Sequence, residues 1–102
     1  MFRSLVKLCN RGEEINTKAM FGETMFDLRE LLGFSIVTPK GIIGVAEDFA
    51  VEESTQKAIF IIVNTNEVFS EHNLLVGTEY IKYVDFENNY LHLTKTIDEI
   101  RG

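Results

Sequence analysis

The side chains that could do chemistry are few in this chain, and their spacing does not assemble them. Cys9 is the single cysteine; a reactive thiol needs a positive neighbourhood and a nearby base, and the residues around it read as those of an ordinary buried or half-buried thiol. His72 and His92 lie twenty residues apart with no further cysteine or histidine at zinc-ligand spacing. Glu47, Asp48, Glu52 and Glu53 could offer oxygen atoms to a hard cation, yet the fixed alternation and central glycine of a calcium loop are missing. They read as an acidic docking turn. Gly41-Ile-Ile-Gly44 lacks the Lys-Ser/Thr pair and following helix of a phosphate loop, and no nucleophile elbow surrounds any serine. The expectation is therefore no catalytic residue, no cofactor-binding residue, no metal ligand, and no enzyme activity.

Patterning then suggests the elements that would carry these residues. Phe2, Ser4, Val6 and Leu8 alternate with Arg3, Leu5, Lys7 and Cys9 as in a strand. After the turn Asn10-Arg11-Gly12, residues Glu14 to Ala19 could return as its hairpin partner. Thr24 stands three residues before Asp27, and Leu28, Leu31 and Leu32 follow at helical spacing before Gly33; this predicts a short helix with Thr24 as its N-cap and glycine at its end.

From Gly33 the period becomes two. Phe34 and Ile36 share a side, and Pro39-Lys40-Gly41 turns the chain. In Ile42 to Val51 one parity carries Ile43, Val45, Phe49 and Val51, interrupted by Glu47. The other carries the small Gly44, Ala46 and Ala50, which permits the close backbone approach a tightly coiled barrel requires. Ala58 to Val63 is apolar on both parities, so both of its faces need cover. A loop over Asn64 to Ser70, strands over Asn73 to Gly77, Tyr80 to Phe86 and Tyr90 to Leu93, and a last helical turn boxed by Thr96 and Glu99 complete the pattern. Glu87-Asn88-Asn89 is the tight turn within it.

At 102 residues, with 45% hydrophobic and 25% charged residues, the chain suits one globular domain with a single core. Its formal net charge of −6 repels phosphate backbones. Lys7, Arg11 and Lys18 are the nearest approach to a basic cluster, and Glu13 and Glu14 interrupt them. No direct nucleic-acid contact is expected. No apolar run reaches the 18 or so residues of a membrane span, and Met1 to Lys7 carries no long apolar signal core, so the expectation is a cytoplasmic protein without membrane insertion.

The passage Phe26-Asp-Leu-Arg-Glu-Leu-Leu-Gly-Phe-Ser-Ile-Val37, the turn Pro39-Lys-Gly41, Gly44-Val-Ala-Glu-Asp-Phe49, and the later Leu74-Leu-Val-Gly-Thr-Glu-Tyr-Ile-Lys-Tyr-Val-Asp85 with Tyr90-Leu-His-Leu-Thr94 resemble the PRC-barrel family over about residues 26 to 99. That family includes the cytoplasmic domain of the photosynthetic reaction-centre H subunit and the C-terminal domain of a ribosome maturation factor. The resemblance implies a mainly β fold: a small barrel of about six short strands, a short helix before it, and a short C-terminal helix. It divides the chain into a barrel domain at 26–102 and an extension at 1–25, a possible hairpin packing on the barrel or on a partner. Gly77-Thr78 stands where family members often carry a proline.

These readings favour a non-enzymatic interaction or assembly module. Its candidate interface is Ile59, Phe60, Ile61, Ile62 and Val63, used in a homodimer, and an unidentified cytoplasmic protein would dock at a barrel edge or at the acidic turn. Two alternatives from other classes are a ribosome-maturation or RNA-processing factor and a small-ligand or metal-binding sensor.

Overall fold

The computed structural model describes residues 2–12, 17–21, 24–55, 57–65 and 73–101. In chain order its elements are β1 (Phe2–Ser4), α1 (Leu5–Asn10), β2 (Lys18–Phe21), β3 (Thr24–Asp27), α2 (Leu28–Leu31), β4 (Ser35–Thr38), β5 (Gly41–Glu52), β6 (Ala58–Asn64), β7 (Asn73–Gly77), a 3-10 turn (Thr78–Tyr80), β8 (Ile81–Asp85), β9 (Tyr90–Leu93) and α3 (Ile97–Arg101). The fold is mainly β. One sheet runs in the order β7-β6-β5-β4-β9-β8, with β1 added to β5, and β2 and β3 form a separate pair.

Six strands on one path match the expected number, but the expected closure is not made by backbone pairing. Among the described residues β7 and β8 end the path without a ladder between them. Side chains close the structure instead. Leu28, Leu31, Ile36, Phe49, Ile61, Val63, Val76, Leu91 and Leu93 are all buried in one cluster, so the sheet curls around a single apolar core.

Local chemistry places the turns. Thr38 Oγ1 donates to the Gly41 carbonyl at 2.9 Å and accepts from the Lys40 amide at 3.2 Å, which folds Pro39-Lys40 between β4 and β5. Asn89 takes φ 57° in the turn before β9, the left-handed conformation that asparagine tolerates. Asp85 steadies that turn by accepting from the Glu87 and Asn88 amides and from Asn88 Nδ2. The Thr96 and Glu99 box forms as expected: the Glu99 amide donates to Thr96 Oγ1 at 3.3 Å, and the Thr96 amide donates to Glu99 Oε1 at 3.2 Å. Gly33 follows α2 with φ 89°, and its amide donates to the Ala46 carbonyl.

The first 27 residues depart from expectation. Of the expected strand over residues 2–9 only Phe2–Ser4 is strand, and it pairs with β5 at Phe2↔Glu52, Arg3↔Val51 and Ser4↔Ala50 rather than folding back on residues 14–19. Ser4 then caps α1 by accepting from the Lys7 amide, and Leu5 and Leu8, three apart, take the buried side. Cys9 lies exposed, because α1 turns it away from that side. Residues 14–16 of the expected return strand lie outside the described residues, as do 66–70 of the expected loop and His72. Lys18 and Ala19 belong to a different hairpin, in which β2 pairs with β3.

Thr24 accordingly sits in β3, and Asp27 is the N-cap of α2. Its carboxylate accepts from the Arg29 amide at 3.0 Å and from Arg29 Nη2 at 2.8 Å. That side-chain bond to Arg29, ahead of the backbone bonds and against partial burial, lowers the Asp27 pKa from 3.8 to about 2.

Strand β5 is the other departure. Register slips opposite Ile36/Val37 and between Ala46 and Asp48, where Ile43 and Glu47 are the extra residues of β5; each bulge resets which parity faces inward. Ile43, Ala46, Phe49 and Val51 therefore reach the core while Val45 is exposed. Gly44 does allow close approach: a Cβ there would lie 2.2 Å from the Asn64 carbonyl oxygen.

Candidate functional site

The doubly apolar β6 splits along its two faces. Ile61 and Val63 are each 0% exposed and belong to the core cluster, so two of the five expected interface residues are committed to the protein's own interior. Ile59 is the extra residue of the bulge opposite Ala50/Val51 and is half-buried. Phe60 and Ile62 are half-buried on the outer face.

Two side chains outside that segment complete the outer surface. Phe2, 50% exposed, meets Phe60 edge to face with ring centroids 5.3 Å apart, a geometry that favours the positive ring edge over the negative face. Leu75 of β7 stands directly opposite Ile62 and is 56% exposed. The N-terminal strand thus covers one end of the face and leaves the Ile62 and Leu75 end open to solvent. Sequence pattern could not reveal Leu75 as a member of this patch. Leu74 and Leu75 are adjacent and alike, and only the register Val63↔Leu74, Ile62↔Leu75 decides which faces out.

The four acidic residues do not form one turn. Glu47 and Asp48 lie inside β5, with Glu47 the exposed extra residue of a bulge. Asp48 is half-buried and holds the N-terminal segment in place. Its Oδ1 accepts from the Val6 amide at 3.0 Å and the Phe49 amide at 2.7 Å, and its Oδ2 accepts from Ser4 Oγ. At the strand end Glu52 accepts from Ser54 and Thr55 hydroxyls, and Glu53 pairs with Arg3 at 3.6 Å. Three of the four are engaged by the chain itself.

A second outer-face grouping lies on β8 and β9, where Tyr83 stacks on His92 with centroids 4.2 Å apart and Tyr90 meets His92 edge-on at 6.0 Å. Tyr83 and His92 stand directly opposite each other across the pair, and Tyr90 lies two residues before His92 on β9, opposite Asp85. Among the described residues no three His, Cys, Asp or Glu side chains gather as a metal site, and no helix is long and apolar enough to cross a membrane.

No curated protein is significantly similar in sequence. The PRC-barrel domain profile matches residues 23–100, a stretch that runs from just before β3 into α3. The chain belongs to the PRC-barrel family.

Proposed function

We propose that the protein is a non-enzymatic assembly module that works as a homodimer, with the outer face of β6 and β7 as its contact surface. The observation that carries this reading is the Ile62 and Leu75 pair. It sets an apolar side chain more than half exposed beside another that its own chain covers only in part, and contiguous exposed apolar surface of this kind favours burial against a partner. Ile61 and Val63 drop out of the contact set because they face inward, and Phe2 joins it through Phe60. The acidic residues carry no weight in this reading, since Asp48, Glu52 and Glu53 already have partners within the chain.

Light scattering at micromolar concentration tests the proposal. The expected result is a species of twice 11.7 kDa. A single species of 11.7 kDa throughout the concentration range overturns it.

A further inference from the structure

We infer that Asp48 is the positioning residue of the contact surface: it fixes the junction of β1 and α1 and thereby sets Phe2 against Phe60, so that Phe2, Phe60, Ile62 and Leu75 meet a second copy as one patch. The inference rests on the homodimer reading and assigns what prepares that face.

Asp48 and the patch share a side of the sheet. Directly opposed residues of an antiparallel pair point the same way, and the register sets Asp48 against Ile62, and Ala50 against Phe60 on one flank and Ser4 on the other. Because Ala50 offers only a methyl group, the Phe2 and Phe60 rings meet across β5 with centroids 5.3 Å apart and leave Ala50 7% exposed. Phe2 belongs to a segment ahead of the 23–100 match to the family profile, so the profile does not account for what holds it there.

Three residues of strand are a weak hold. The next firm anchor is Leu5, 0% exposed in the core, and between Phe2 and Leu5 the chain changes from strand to helix. Asp48 spans that change. Its Oδ2 accepts from Ser4 Oγ at the end of β1, and its Oδ1 accepts from the Val6 amide in α1 at 3.0 Å. Ser4 Oγ in turn accepts from the Lys7 amide, so one carboxylate sets both sides of the bend. The Arg3 to Glu53 pair, 3.6 Å apart between partly exposed side chains, adds little by comparison. A ring already held in place loses less freedom when a partner arrives. Asp48 makes these bonds within its own chain, and removing a carboxylate from a chain of net charge −6 by itself eases the approach of two copies. A dimer weakened by that removal therefore reports position and not charge.

A double-mutant cycle read by sedimentation equilibrium tests this. Phe2→Ala and Asp48→Ala should each weaken the dimer about tenfold. Together they should still weaken it about tenfold, not about a hundredfold, because Asp48 then has no ring to position. Ser4→Ala, which leaves β5 intact, should act in the same direction and lose its effect in the Phe2→Ala protein; it carries the cycle if Asp48→Ala fails to fold. Asp48→Ala should also abolish the nuclear Overhauser contacts between the Phe2 and Phe60 rings in the monomer. An unchanged Kd, losses that multiply in the double variant, or ring contacts that survive Asp48→Ala overturn the positioning role and leave the homodimer standing. A parent that is monomeric at every concentration overturns both.

Discussion

Strands β7 and β8 end the same sheet and have opposite surface character. At β8 the chain supplies a bulged lysine, a terminal aspartate that caps the following turn, and a hairpin held through Phe86. At β7 it supplies an unbroken uncharged strand with a half-exposed leucine at its centre. The N-terminal segment reaches the β7 side through Phe2, but its contact ends at Phe60, one strand short of Leu75. Guarding one edge and not the other teaches that the open end of this curled sheet is asymmetric. A barrel that does not close by backbone pairing has two edges to manage, and among the described residues only one of them carries the devices that prevent strand addition.

The largest expected effect separates the inner face from the outer face at the β7 end. Ile61→Asp places a carboxylate at a site with 0% exposure, removing core contacts and burying an uncompensated polar group, and should cost about 4 kcal/mol or more. Leu75→Lys, one strand away but facing out, should stay within about 0.5 kcal/mol of the parent at concentrations low enough that both are monomers. Urea unfolding of both variants checks the contrast. Equal losses would mean that Leu75 is part of the core and that the outer face has been misplaced.

A middle-sized effect probes how β5 and β6 approach each other behind that face. Gly44→Ala brings a Cβ to 2.2 Å from the Asn64 carbonyl oxygen and 2.9 Å from Val63 Cγ1. Backbone on the facing strand cannot yield as a side-chain tip does, so the strands must part, and the cost should be about 1–3 kcal/mol. Because the Asn64 end of β6 pairs with Asn73, the exchange protection of β7 should fall with it, while that of β8 and β9 should hold. Undisturbed β7 amides in a destabilised Gly44→Ala would show that the strain is absorbed elsewhere.

What was legible in the sequence was what neighbouring residues decide among themselves. The Thr38 turn, the Asn89 turn and the Thr96–Glu99 box all form from partners within a few residues, and Gly33 ends α2 through its own positive φ. The positions of the strands from β4 to β9 followed from the period of two, and the mainly β fold from the family resemblance, whereas the order of the strands in the sheet came only with the structure. The N-terminal segment was illegible because its alternation fits both a strand and, through Leu5 and Leu8, a helix. Asp48, more than forty residues away, settles it by holding Ser4 and the Val6 amide. Thr24 and Asp27 both offered capping chemistry, and the choice fell to Asp27 because β3 pairs with β2 up to that residue. The parity of β5 was lost at its bulges, which depend on the partner strands. For the candidate site, the need of β6 for cover on two faces could be read directly, whereas the role of Leu75 required the register.

The smallest effect sharpens the comparison from the guarded end. The β2–β3 hairpin that covers β8 runs into α2 through Asp27, whose carboxylate accepts from the Arg29 amide and guanidinium. The Arg29 side-chain bond is the main reason its pKa falls from 3.8 to about 2. A folded-state pKa below the unfolded value means that the carboxylate's stabilisation is complete above about pH 4 and is lost as pH falls from there through about 2. Asp27→Ala should therefore cost about 1 kcal/mol near neutral pH, the usual worth of an N-cap. The gap between parent and variant should close as pH approaches 2, because protonation removes from the parent what the substitution has already removed from the variant. If the hairpin guards β8 as the packing of Phe86 against Phe26 suggests, exchange protection at β8 should decline over the same pH range with β7 unaffected. A parent-to-variant gap that persists at pH 2 would show that Asp27 acts through its shape and not its charge. A β8 that keeps its protection after the cap is lost would show that Lys82 and the bulge guard that edge without the hairpin.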